Sequence, residues 1–289
     1  MDTTAAAIAR MLAGAGIDRV FGLPGGEVLV LIDELRQAGI DFVLMRHEAN
    51  AGIAAAVHGK LRGQPGVVLA TLGPGAANLM LPISSAYLDQ EPLLAITAQL
   101  PDEFPASHTH QRLPLLDTYR PVCRYVDKVT CDNAGEVVPR ALAACMERPF
   151  GAAYLTLSAR EALKPASVGP PFMGGQTGHA VADARIKAAD LRQRLETAER
   201  PLVLIGLGVA NANATRIRTW LDTWNLPVAV TPKVKGIVDE AAANFVGVIS
   251  GMAADGLMVD ALKSADLLVG FVTLPTSSPV LPQMSTTLL

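Results

Sequence analysis

Apolar runs of strand length alternate along this chain with longer amphipathic segments, and Gly or Pro marks most of the changes. Little besides a parallel α/β sheet satisfies that alternation, because parallel strands need long crossovers and helices serve as the crossovers. Strands are predicted at Arg19 to Leu23, Asp41 to Met45, Val67 to Thr71, Leu93 to Ala98, Val122 to Val129 and Ala152 to Leu157. Helices are predicted at Thr4 to Ala15, Val28 to Ala38, Ala49 to Leu61, Ala76 to Leu88 and Ala134 to Arg148. Gly16 and Gly39 fall where a helix C-terminus calls for a positive φ. The result is a doubly wound domain over residues 1–165. Composition agrees, with 50% hydrophobic but only 4% aromatic residues, 25 Gly and 20 Pro. Ala, Val, Leu and Ile must build the core, as suits a parallel α/β protein.

Residues 166–182 lose this periodicity and gain Pro and Gly, the composition of an interdomain linker. A second α/β unit is expected over 183–289. Its strands are Leu202 to Ile205, Val228 to Thr231 and Leu267 to Phe271, and its helices Ala184 to Ala198, Thr215 to Trp224 and Asp255 to Ser264. No charged residue follows Asp266, and the tail 272–289 carries no helix or strand pattern.

With 24 basic and 27 acidic residues, net charge −3 and a pI near 6.0, the chain has no basic stripe for nucleic acid. It has no run of 18 apolar residues to cross a membrane. Its N-terminus lacks the regions of a signal peptide, so a cytoplasmic location is expected. Cys123, Cys131 and Cys145 have neither disulfide nor zinc spacing.

Four loops after strands carry the unusual residues, at the strand ends where open parallel sheets bind ligands. Gly22-Leu23-Pro24-Gly25-Gly26-Glu27 reads as a tight turn or as a backbone that approaches a ligand, and it lacks dinucleotide spacing. Met45-Arg46-His47-Glu48 puts a carboxylate at a helix start, either as a dipole-favoured structural residue or as a working group. Thr71-Leu72-Gly73-Pro74-Gly75-Ala76-Ala77-Asn78 offers small side chains that permit close approach. His108-Thr109-His110-Gln111 reads as a polar loop or, with no third ligand in view, a partial metal site.

Taken in order, GLPGGEVLVLIDEL, then MRHEANAGIAAAVHGK, then VVLATLGPGAANLM and HQRLPLLDTYRPVCRYV resemble the pyrimidine-binding domain of thiamine diphosphate enzymes, especially the acetolactate synthase large subunits. More thinly, ERPLVLIGLGV, NLPVAVTPKVKGIVDE and SADLLVGF resemble the family's Rossmann-like middle domain. The resemblance implies that Glu48 accepts a hydrogen bond from N1′ of the cofactor's aminopyrimidine, so that the cofactor's own amino group takes the C2 proton. It places Gly25, Gly26, Thr71, Pro74 and Asn78 on the cofactor side and Gln111 beside the substrate. Leu44, Met45, Ile53 and Ala54 are expected to shield Glu48 from water. The chain departs from the pattern at Leu72, at Arg112 where these synthases usually have an acid, and at Arg124-Tyr125 in place of Lys-His.

Family members also carry a Gly-Asp-Gly motif that holds Mg²⁺ and the diphosphate, and none occurs here. The expected function is therefore acetolactate synthase-like decarboxylation and carboligation of 2-oxo acids by a truncated or partner-dependent chain. The expected assembly is a homodimer or higher oligomer through the pyrimidine-binding domain, with a chain that carries the diphosphate-binding domain as a further candidate partner. The alternatives are a noncatalytic dimerising protein, or a two-domain nucleotide-binding protein. Gly206-Leu207-Gly208 lacks the third glycine of an NAD fingerprint and reads as structural packing, while the resemblance allows FAD on the middle domain.

Overall fold

The strand between the first two glycine-rich loops, Gly66–Ala70, is buried along its whole length, and it forms the middle of a six-stranded sheet. A computed structural model describes residues 2–105, 107–166, 190–207, 209, 213–250, 256–271 and 286–288. The chain divides into two compact units, Met1–Thr177 and Gly178–Leu289. The linker expected at 166–182 lies, but for Ala166, outside the described residues.

In the first unit the strands are β1 (Asp2–Thr3), β2 (Arg19–Gly22), β3 (Asp41–Leu44), β4 (Gly66–Ala70), β5 (Leu93–Gln99), β6 (Tyr125–Val129), β7 (Ala152–Ser158) and β8 (Pro165–Ala166). The main sheet runs β3-β2-β4-β5-β7-β6 with every neighbour parallel. β1 and β8 pair antiparallel, which ties Ala166 back to the N-terminus, and the short helix α8 (Ala159–Leu163) joins β7 to β8. Helices α1 (Thr4–Gly14), α2 (Leu29–Gln37) and α7 (Ala134–Met146) close one core, around Ile8, Leu12, Leu35 and Leu142. Helices α3 (Glu48–Arg62), α5 (Met80–Leu88) and α6 (Leu115–Tyr119) close the other, around Ala55, Ile83 and Tyr154. Two apolar faces on one parallel sheet make the unit doubly wound. Gly16 and Gly39 have φ of 81° and 79°, as their positions after α1 and α2 required.

Two expected elements change at prolines. The helix expected from Ala76 to Leu88 is split into α4 (Pro74–Ala77) and α5, because Pro82 has no N–H for the carbonyl of Asn78 and its ring crowds that carbonyl. The strand expected from Val122 begins only at Tyr125; Pro121 opens a 3-10 turn, Arg120–Val122, instead.

The second unit is a parallel sheet of five strands in the order β11-β10-β9-β12-β13. These are β9 (Pro201–Ile205), β10 (Val228–Val230), β11 (Phe245–Val248), β12 (Leu267–Phe271) and β13 (Thr286–Leu288). A helix over 190–197 (α9) and α10 (Ala214–Trp224) supply one core, with Leu191, Leu195, Ile217 and Leu221. The opposite core uses Leu262 of α11 (Gly256–Ser264). β11 falls where the sequence predicts no strand, and β13, in a tail without a strand pattern, pairs parallel with β12. No helix among the described residues is long and apolar enough to cross a membrane.

Candidate active site

Sheet order reverses between β2 and β4: the chain goes outward from β2 to β3, then returns past β2 and builds β4, β5 and β7 on the other side. Ligands of open α/β sheets sit at such a reversal, beyond the carboxyl ends of the strands. Here the two loops that meet there are Leu23–Glu27 after β2 and Thr71–Asn78 after β4.

Between them comes Glu48, the first residue of α3. The ring of His47 caps this helix, its Nδ1 accepting from Ala49 N at 3.1 Å, and the positive end of the helix dipole favours a carboxylate at this place. Glu48 is only 5% exposed. Its Oε2 accepts from Nδ2 of Asn78 at 2.9 Å, while Oε1 has no hydrogen-bond partner among the described residues. A Cβ at Gly75 would lie 3.1 Å from that Oε1 and 2.7 Å from Cγ2 of Thr71. The missing side chain thus leaves a small cradle directly over the free oxygen. Gly25 closes the far side: a Cβ there would come within 2.6 Å of the Thr71 hydroxyl.

The expected shield of Leu44, Met45, Ile53 and Ala54 is not what buries Glu48. Leu44 and Ile53 are 66% and 44% exposed, and Met45 and Ala54 are half-buried. Neighbours in sequence are not neighbours on a helix face; residues three, four and seven positions on from Glu48 share its side, and those are Ala51, Gly52 and Ala55, all buried. Thr71, Gly75 and Asn78 complete the enclosure.

Of the other expected residues, Pro74 opens α4 and thereby aims Asn78 at Glu48. Gly26 differs from Gly25 in having open space where a side chain would go. Gln111 joins the cluster from the loop after β5. It adopts a left-handed φ of 55°, and its Cβ lies 2.7 Å from where Gly73 would carry its own. Gly73, at φ 60°, fits beneath it only as glycine. Arg112 is spent on the same loop, donating to the carbonyls of His108, Phe104 and Pro105. His108 stacks on Phe104 at 4.8 Å. Sequence analysis gave no role to Glu27, whose Oε2 accepts from the Thr71 hydroxyl at 2.7 Å. The signal for it was present, since both residues follow strands that an open sheet places side by side.

Tyr119 braces the site from below. Its hydroxyl donates to the carbonyl of Ala76 in α4 at 2.5 Å, and its ring stacks on Tyr154 at 4.0 Å. Burial pushes the Tyr119 pKa up, so the hydroxyl stays a donor. Tyr119→Phe keeps the stack and removes one of the donors to the Ala76 carbonyl, which Leu79 N still serves at 3.1 Å, a loss of about 0.5 to 1.5 kcal/mol. Hydrogen exchange is expected to accelerate at residues 73–79 ahead of the rest of the sheet; uniform acceleration would show that Tyr119 serves global stability alone.

Two matches decide the family. Residues 2–118 match the thiamine pyrophosphate enzyme N-terminal TPP binding domain, and residues 188–274 match the central domain of the same enzymes. The chain belongs to the thiamine pyrophosphate enzymes. Among curated relatives, the acetolactate synthase isozyme 2 large subunit of Escherichia coli K12 is 30% identical over 91% of this chain and 48% of its own length. The acetolactate synthase large subunit of Corynebacterium glutamicum is 32% identical over 92% of this chain and 43% of its own. Acetolactate synthase of Mycobacterium bovis is 30% identical over 94% and 44%. The chain spans a little under half the length of these relatives.

The residues fit the pyrimidine end of such an enzyme's cofactor. A largely buried glutamate with one oxygen left without a donor among the described residues, beside a glycine cradle, is what a protonated ring nitrogen and a flat ring require. They do not fit its metal: no group of three or more His, Cys, Asp or Glu among the described residues could hold an ion. For FAD, Gly206 and Leu207 follow β9 directly, and Gly208 lies outside the described residues.

Proposed function

We propose that this chain forms the pyrimidine-facing half of a thiamine diphosphate site in an acetolactate synthase-like enzyme, which decarboxylates a 2-oxo acid and joins the product to a second carbonyl compound. The observation that carries this reading is the buried carboxylate of Glu48, held on one oxygen by Asn78 and free on the other. Thiamine diphosphate, when bound, supplies the electron sink that the decarboxylation needs. Glu48 accepts from N1′ of the aminopyrimidine and keeps a proton at that atom. Asn78 fixes the plane of the carboxylate, and Gly25, Gly26, Thr71 and Pro74 shape the surface under the ring. Gln111 faces the 2-oxo acid. Mg²⁺ and the diphosphate belong to a diphosphate-binding domain outside the described residues, contributed by a partner chain, and no step assigned to this chain runs through the metal.

Assembly follows from the outer face of α3. Ile53, Val57 and Leu61 recur at every fourth position and are all exposed, and Leu81 and Leu88 extend the patch on α5. Such contiguous apolar surface marks an interface. We expect a dimer by light scattering, and monomers after Val57→Asp with Leu61→Asp; a dimer that survives both changes would place the contact elsewhere.

Calorimetry with thiamine diphosphate and Mg²⁺ tests the function. The chain alone is expected to bind in the millimolar range or weaker, and about 10³-fold more tightly beside a chain that carries the diphosphate-binding domain. Micromolar affinity and pyruvate consumption by the chain alone would overturn the partner requirement. A stable assembly that binds no cofactor would favour the noncatalytic dimer.

A further inference from the structure

Oε1 of Glu48 has no hydrogen-bond partner among the described residues, and Thr71 borders the same glycine cradle. Thr71 presents two different groups to its surroundings. Its Oγ1 donates to Glu27, while its Cγ2 methyl and Oε1 of Glu48 both border the Cβ position of Gly75, at 2.7 Å and 3.1 Å from it. A threonine side chain has staggered alternatives about χ1, and one of them would carry the hydroxyl to where the methyl now lies and the methyl to where the Cβ hydrogen lies. In that rotamer the hydroxyl would donate its single hydrogen to Oε1, a stronger than usual bond because the acceptor is charged. The oxygen would then be occupied before any ligand arrived.

We propose that Glu27 prevents this, as a positioning residue that holds the Thr71 hydroxyl hydrogen and so keeps Oε1 of Glu48 open for the ring nitrogen of the cofactor. The inference rests on the thiamine diphosphate reading. Its structural basis is the hydrogen bond from Thr71 Oγ1 to Glu27 Oε2 at 2.7 Å. Two carboxylates thus compete for one hydrogen, and the half-buried one takes it. Glu27 is placed to do so because the turn Gly26–Val28 folds directly after Gly25, whose lack of a side chain lets the loop lie against Thr71. The device acts before binding: it improves affinity by removing an internal competitor and makes no contact with the ligand itself.

The experiment uses the full chain and two readouts. In threonine labelled with ¹³C at the methyl, three-bond couplings give the Thr71 rotamer with no cofactor present, and the NOE from that methyl to the α protons of Gly75 gives the same geometry. One rotamer is expected in the wild type. Glu27→Ala is expected to average the couplings and reduce the NOE by about half, while Glu27→Gln, whose amide oxygen still accepts, keeps both. Thiamine diphosphate affinity is then measured with Mg²⁺ in the assembly that carries the diphosphate-binding domain. Glu27→Ala is expected to weaken it about twofold, since about half the chain then has Oε1 occupied, and to change nothing in a Thr71→Val background, where no hydroxyl remains to be redirected. An unchanged Thr71 rotamer in Glu27→Ala overturns the proposal. So does an equal affinity loss with and without Thr71→Val, which would make Glu27 a direct ligand contact. Should no wild-type assembly bind the cofactor, the thiamine diphosphate reading fails, and the couplings alone decide whether Glu27 holds Thr71.

Discussion

Glu48→Gln is expected to slow hydrogen exchange at C2 of bound thiamine diphosphate by about 10²- to 10⁴-fold, the loss typical of a positioned acid-base group. The substitution preserves shape but not polarity. Oε2 of Glu48 accepts from Asn78, and Oε1 is free to accept from the ligand. A glutamine has one oxygen and one NH₂. If its oxygen stays with Asn78, the NH₂ points at the ring nitrogen and offers a donor where an acceptor is needed; if it turns round, the NH₂ confronts the amide donor of Asn78. The first arrangement gives the ring no acceptor, and the second gives it only a neutral amide oxygen, which holds a proton there far less well than a carboxylate. The fold should be unaffected, with a melting temperature within about 3 °C of the wild type. Exchange at the wild-type rate in an assembly that retains Asn78 and Gly75 would remove Glu48 from this role.

The sheet was legible because a parallel strand buried on both faces appears as an unbroken apolar run, and Gly66–Ala70 is such a run. The edge strands β3 and β6 of that sheet were legible too, but β11 in the second unit gave no such signal. β11 has Phe245, Val246, Gly247 and Val248 all half-buried, its Gly247 sits at φ 147°, and the register against β10 shifts between Val228 and Ala229. The candidate site was legible loop by loop, since each of its residues follows a strand end. What could not be read was which side chain meets which. Glu27 and Thr71 lie 44 residues apart and touch only because β2 and β4 are sheet neighbours although β3 comes between them in sequence. The same limit produced the wrong shield for Glu48: Leu44 and Ile53 are close along the chain, but the turn into α3 and the helical period carry both outward.

Packing also sets how deep Glu48 lies, and Gly66→Ala should expose that dependence. A Cβ at Gly66 would come 1.8 Å from the carbonyl oxygen of Ala55 and 2.4 Å from its carbon. Both are backbone atoms of α3, so no side chain can rotate out of the way. Opposite, a Cβ at Gly59 would lie 2.2 Å from the nitrogen of Gly66. Helix and strand therefore touch backbone to backbone, and only glycine on each side allows it. An added methyl must lift α3 from β4 or slide the strand, at a cost of about 3 kcal/mol or more, or about 6 to 12 °C in melting temperature for a domain of this size. The same lift draws the N-terminus of α3 away from Asn78, so thiamine diphosphate affinity should fall in the surviving folded protein as well. Gly26→Ala is the control for the stability half of this argument, because nothing lies within 4 Å of its Cβ position and a change within about 0.5 kcal/mol is expected. If Gly66→Ala melts with the wild type, α3 does not rest on β4 this closely, and the depth of Glu48 must be set by Thr71 and Gly75 alone.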